Sequence, residues 1–200
     1  NIGITATNKK SVVKSFFGKT VDDSTLAAIA NAVDGATVRM SLKQRLSGKS
    51  LYLSWFDEGV DAGRSIFRDE DGKLVVHNDI FIIENSSKHK GKGVEFFLNQ
   101  VQALRDAGVD RIETHAAGDA KDEFNGYYTW PRMGYDGMMT DEAFDRLPSS
   151  CRESLGKSRS VLDLFELPGG KEAWKEHGSD IYDATFDLND DSRSMKVLAA

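Results

Sequence analysis

A single cysteine, Cys151, leaves the chain no partner for an internal disulfide, and a reducing, cytoplasmic setting is expected. No recognisable nucleophile motif surrounds that cysteine, and it is given no role. No apolar run approaches the length of a membrane span, and the N-terminus has no signal-peptide pattern, so no membrane partner is expected. Positive charge is not in excess: 26 Lys and Arg stand against 32 Asp and Glu, a net charge of −6, which argues against general nucleic-acid binding. The four histidines, His77, His89, His115 and His177, have no metal-binding spacing, so no metal is expected. Neither a Gly-x-x-x-x-Gly-Lys-Ser/Thr loop nor a Gly-x-Gly-x-x-Gly fingerprint occurs, and there is no internal repeat or low-complexity tract.

What is present is enough for one sizeable core, with 40% hydrophobic residues in 200. The most informative stretch is Lys88-His89-Lys90-Gly91-Lys92-Gly93-Val94. Before it runs the strand-like Ile80-Phe81-Ile82-Ile83-Glu84. After it, Val94, Phe97, Leu98, Val101 and Leu104 recur at helical spacing up to a stop at Gly108. A strand, a turn rich in glycine and lysine, and a helix N-terminus together favour an anion such as a phosphate. The glycines allow N–H groups to turn inward, and the helix dipole and lysines add positive charge. The plainer reading of the same residues is a solvated connector.

The rest of the pattern frames this unit. Residues 1–20 read as an N-terminal arm, and 21–200 as one domain. A helix is expected from Thr20 to Val33, capped by Asp22, Asp23 or Ser24 and stopped at Gly35. Strands are expected at Leu51 to Phe56 and Arg64 to Arg68. Asp69 to Gly72 reads as a hairpin turn into Leu74-Val75-Val76, and Val109 to His115 as a further strand. Residues 141–180 read as a helical insertion before a last strand at Ile181 to Leu188. The first residue, Asn1, and the helix-like Ser194 to Ala200 lead to the expectation of a domain linked to others in a longer chain.

Downstream of the loop, Asn125-Gly126-Tyr127-Tyr128-Thr129-Trp130-Pro131-Arg132-Met133-Gly134-Tyr135 closes on Gly-Tyr. The order of loop, helix, strand, second helix and Gly-Tyr resembles the GNAT superfamily of acyl-CoA-dependent N-acyltransferases over about residues 75–140. The resemblance implies an α/β (α+β) fold with a mixed, largely antiparallel central sheet flanked by helices. It implies acetyl-CoA as acyl donor and a small-molecule or protein amine as acceptor. Lys88, Lys90, Gly91, Lys92, Gly93 and Val94 would hold the pyrophosphate, and backbone N–H groups near Ile82 and Ile83 would assist the thioester carbonyl. Glu84 would be the candidate base, with Asp79 a lesser one, and Tyr128 the candidate acid. As alternatives, Glu84 is a strand-end carboxylate paired with Lys88 or Lys90, and the Tyr127-Tyr128-Trp130-Tyr135 cluster is core packing.

Two positions depart from the family pattern. Glu95 stands where one framing of the loop expects Gly or Ala, although Glu is ordinary in a helix's first turn. Trp130 stands where the family often has the acidic Tyr. Tyr127 or Tyr128 could substitute if the segment is irregular around Pro131. Two functions follow: a GNAT-like N-acetyltransferase domain acting on a primary amine, or a catalytically inactive GNAT-fold structural or interaction domain. RNA binding through the basic loop ranks third.

Overall fold

The computed structural model describes residues 2–3 (backbone only), 8–46, 48–57, 59–84, 87, 91–121 and 124–200. They form two compact units, divided between Ile112 and Glu113.

The first unit contains β1 (Ile2–Gly3), α1 (Lys9–Phe17), α2 (Asp23–Ile29), β2 (Arg39–Arg45), β3 (Gly48–Asp57), β4 (Val60–Arg68), β5 (Leu74–Ile83), α3 (Gly93–Ala107) and the start of β6 (Arg111–Ala116). The segment read as an arm thus carries a helix, α1, whose Val13 and Phe17 are buried. Asp22 caps α2 by accepting from Thr25 N–H at 2.7 Å. That helix ends well before Val33. Asn31 adopts φ 57°, and Ala32 N–H closes back on Ala27 O at 2.8 Å. Asn therefore supplies the left-handed C-cap that the sequence suggested for Gly35. Trp55 Nε1 donates to the carbonyl of Ala30 at 2.7 Å and fixes this helix end to β3.

Strands β1 to β5 form an antiparallel meander. Leu51, Leu53 and Trp55 alternate into the core, the period-2 pattern that made β3 legible. The β4–β5 turn is as expected. Asp69 accepts from the N–H groups of Asp71 at 3.0 Å and Lys73 at 2.8 Å, and Gly72 takes φ 77°.

Within the β4–β5 ladder, Gly63 pairs with Ile80 but Arg64 pairs with Asn78, leaving Asp79 as the extra residue of a β-bulge. The bulge changes the alternation of β5. Asn78 faces Gln100 of α3 and Phe81 meets Phe96, with ring centroids 6.1 Å apart. His77 before the bulge, Asp79 within it, and Ile80 and Ile82 after it share the opposite face.

Helix α3 buries Phe97, Val101 and Leu104 and ends at Gly108, φ 81°. The chain then enters β6, the neighbour of β5. Asp110 N–H donates to Leu74 O at 2.8 Å, and Leu74 N–H donates to the Asp110 carboxylate at 2.7 Å. The two strands therefore begin side by side and run parallel, joined through α3. The expected mixed, largely antiparallel sheet with flanking helices is the architecture observed.

The second unit holds the rest of β6, then α4 (Gly126–Arg132), α5 (Asp141–Arg146), α6 (Ser149–Leu155), α7 (Val161–Glu166), α8 (Gly170–His177), β7 (Ile181–Asp187) and α9 (Arg193–Ala199). Strand β7 lies beside β6, where Tyr182 stacks on His115 at 4.9 Å. The four short helices α5 to α8 follow one another between Asp141 and His177. Two of them are started by polar caps: in α5 Thr140 accepts from Ala143 N–H, and in α7 Ser160 accepts from Asp163 N–H. Asp136 accepts from Ser160 Oγ at 2.8 Å and from the N–H groups of Gly137 and Leu162, joining the chain after α4 to the start of α7.

Candidate functional site

Lys88, His89 and Lys90 of the expected anion loop lie outside the described residues. Its remaining members, Gly91, Lys92, Gly93 and Val94, lead directly into α3. Gly91 adopts φ 84°, a conformation open to glycine and costly by about 1–2 kcal/mol for most other residues. Lys92 is the N-cap residue, and its own side chain does not cap the helix. A Cβ built on Gly93 meets nothing within 4 Å, so the space above this first turn is open. Val94 and Glu95 are both exposed.

Lys92 and Glu95 also line a groove of about 800 Å³ between α3 and α2, with Thr25, Asn31, Asp34 and Asn99 among its other walls. Asn31 at the helix end is 5% exposed. Turned so that its amide nitrogen donates to Phe96 O at 2.7 Å, its oxygen accepts from Arg64 at 3.3 Å. Arg64 is fully buried, and it also donates to Ile80 O at 2.5 Å beside the bulge. The bulge is thus held by a buried guanidinium that the sequence pattern did not single out.

At the end of β5, Glu84 N–H donates to Gly59 O at 2.7 Å, directing it toward β4. N–H directions alternate along a strand, so Ile82 also turns its N–H to β4 while Ile83 turns its N–H to the other edge. Of the two isoleucines, Ile83 is therefore the one with an N–H directed away from the β4 ladder. Ile82 is 42% exposed on the face opposite the helices. Glu84 is exposed, and its carbonyl accepts from Ser87 N–H at 3.0 Å in the first turn after the strand.

Asp79, the lesser base candidate, is already engaged. It accepts from Ser65 Oγ at 2.6 Å and contacts His77 Nδ1 at 3.0 Å. Burial works to raise its pKa, but the hydrogen bonds from His77 and Ser65 and the positive charges nearby outweigh it and hold the carboxyl below the usual range. A carboxylate so stabilised is a poor proton acceptor. Asp79 therefore stabilises the fold above its unfolded pKa near 3.8 and loses that contribution as pH falls through the lower folded value. Asp79→Asn should flatten the loss of thermal stability between about pH 5 and pH 2, and melting curves across that range would check it.

The aromatic segment belongs to the second unit. The irregularity expected at Pro131 does not occur, and α4 runs through it to Arg132. Proline has no N–H for the carbonyl four residues earlier, that of Tyr127. Trp174 Nε1 donates to that carbonyl instead, at 2.8 Å. Tyr127 is buried, and its hydroxyl donates to Lys175 O at 2.8 Å. Burial, then the negative charge of Asp119, pushes its phenol pKa up. Tyr127 is therefore a packing residue. Trp130 packs edge-on against the buried Tyr135, with centroids 5.3 Å apart. Tyr128 remains half-buried, with its ring between Tyr127 and Phe165.

Among the described residues no group of three or more His, Cys, Asp or Glu could hold a metal ion, and no helix is long and apolar enough to cross a membrane. No family model and no curated protein sequence matches the chain. Among solved structures, the chain is similar to Arabidopsis thaliana Naa50 in complex with the bisubstrate analogue CoA-Ac-MVNAL. The identity is 10% and the TM-score 0.35, over 92% of this chain and 94% of that one.

Proposed function

We propose that this chain carries a GNAT-like N-acetyltransferase domain that moves an acetyl group from acetyl-CoA to a primary amine. The observation that carries the reading is the unit formed by β5, α3 and the start of β6. A parallel crossover has an open Gly91-Lys92-Gly93 turn at its helix start, and beside it a strand end at which one N–H is directed away from its ladder partner. In this reading Lys88, Lys90, Gly91, Lys92, Gly93 and Val94 receive the pyrophosphate, with backbone N–H groups and cations opposing its charge. Ile83 N–H polarises the thioester carbonyl.

The reaction needs no covalent enzyme intermediate. Glu84 takes a proton from the acceptor ammonium, directly or through water. The amine lone pair forms the C–N bond, the C–S bond breaks, and the second proton lost by the nitrogen passes through solvent to the leaving thiolate. The acceptor is a small molecule or a protein amine.

A second reading, a GNAT-fold module without chemistry, is favoured by Glu95 and by Trp130, which occupies the usual tyrosine position and packs against Tyr135. Calorimetric titration with acetyl-CoA, on the native chain and on Glu95→Gly, separates the two. If Glu95 repels the pyrophosphate, native binding is poor or absent and the substitution improves it, at a helix cost of roughly 1 kcal/mol relative to Ala. If Glu95 lies aside, native binding is already tight and the substitution changes stability alone. Binding by neither protein would leave the module reading standing.

A further inference from the structure

A second cavity lies away from the turn at Gly91. It has a volume of about 450 Å³ and lies between α1 and strands β2 to β4, lined by Val12, Ser15, Phe16, Leu42, Lys49 and Arg68. That volume is within the range of small-molecule sites, roughly 300–1,000 Å³. Its two chemical halves come from different elements. Val12 and Phe16, one turn apart on α1, and Leu42 of β2 supply an apolar wall. The sheet supplies charge.

The β3–β4 ladder pairs Leu51 with Ile66, both buried beneath the helices. Two residues outward on each strand, past the end of the paired ladder, Lys49 and Arg68 fall on that same side and both line the cavity. Like charges brought to one cavity repel each other unless something neutralises them. Arg68 donates to the carbonyl of Gly72 at 2.8 Å, a neutral partner. Among the described residues, neither cation has a carboxylate partner, and none of the residues lining the cavity is acidic. In a chain with a net charge of −6, this is a local excess of positive charge against an apolar wall. Ser15 adds no free donor, because its hydroxyl donates to Val12 O at 2.6 Å.

We propose that this cavity binds a small amphiphilic anion, with a carboxylate between Lys49 and Arg68 and an alkyl or aromatic body against Val12, Phe16 and Leu42. Both halves are required: the cations fix the head, and the apolar wall accounts for the retention of the body.

The test is calorimetric titration of the native chain with decanoate below its micelle-forming concentration. Acetate serves as the anion without a body, and decyltrimethylammonium as the same chain with a cationic head. Saturable binding of decanoate, with one molecule per chain and none of either control, is expected. Lys49→Glu and Arg68→Glu should each weaken it about tenfold or more, an effect that shrinks with salt. Lys196→Glu, the same charge change on α9, should leave it unaltered. Circular dichroism would show that the variants keep the native fold. No saturable decanoate binding, equal binding of the cationic chain, or equal weakening by Lys196→Glu overturns the proposal.

Discussion

Acetyl-CoA should bind the native chain saturably, and Lys92→Glu should weaken that binding by about tenfold or more, as expected for reversing one phosphate contact. The physical basis is local. Lys92 is the N-cap residue of α3, and its own side chain does not cap the first turn's N–H groups. Replacing a cation by an anion there reverses the field an incoming pyrophosphate meets, and added salt should shrink the difference. Lys90→Glu should behave alike. Gly93→Val is the sharper substitution, because a Cβ at Gly93 meets nothing within 4 Å. The variant keeps the protein's packing and fills only the space a phosphate would approach. Loss of affinity with an unchanged melting temperature is expected. Unchanged affinity in all three variants removes the proposed anion site.

Trp174→Ala should destabilise the second unit by about 3–5 kcal/mol, the cost of deleting a large buried aromatic side chain. Trp174 is completely buried, and its indole is more than filling. It supplies the donor that Pro131 cannot give to the carbonyl of Tyr127. Trp174→Phe keeps most of the volume and removes the donor. It should cost about 1–3 kcal/mol, the penalty for a buried acceptor left without a partner. Urea unfolding of the three proteins would separate volume from hydrogen bonding. Equal stability of Trp174→Phe and the native chain would show that water or another donor serves the Tyr127 carbonyl.

The parts of the fold legible in the sequence are those in which one local rule acts unopposed. Strand β3 alternates cleanly, α3 has a continuous apolar face and a terminal glycine, and the Asp69 to Gly72 turn combines an Asx acceptor with a left-handed glycine. The parts that were not legible depend on partners distant in sequence. Helix α2 ends at Ile29 and not near Gly35: Asn31 takes the left-handed conformation, and Trp55, 25 residues after Ala30, binds the carbonyl of Ala30. Pro131 stays helical because Trp174, 47 residues after Tyr127, replaces the missing donor. The bulge at Asp79 gives no signal in hydrophobic pattern, since the apolar residues after it continue without a break. It nevertheless decides which face His77, Ile80 and Ile82 share, and it engages Asp79 with Ser65 and His77. Of the site, the Gly91-Lys92-Gly93 turn could be read from composition and flanks. The difference between Ile82 and Ile83 could not, because it depends on which edge of the strand pairs with β4.

Whether the turn at the start of α3 holds acyl-CoA is read by titrating acetyl-CoA into the 15N-labelled chain and following backbone amide resonances. Saturable shifts are expected at Gly91, Lys92, Gly93, Val94 and Ile83, with Ile82 moving less because its N–H is committed to β4. Shifts that saturate elsewhere while these amides stay in place, or no shifts at all, would contradict acyl-CoA binding at the turn.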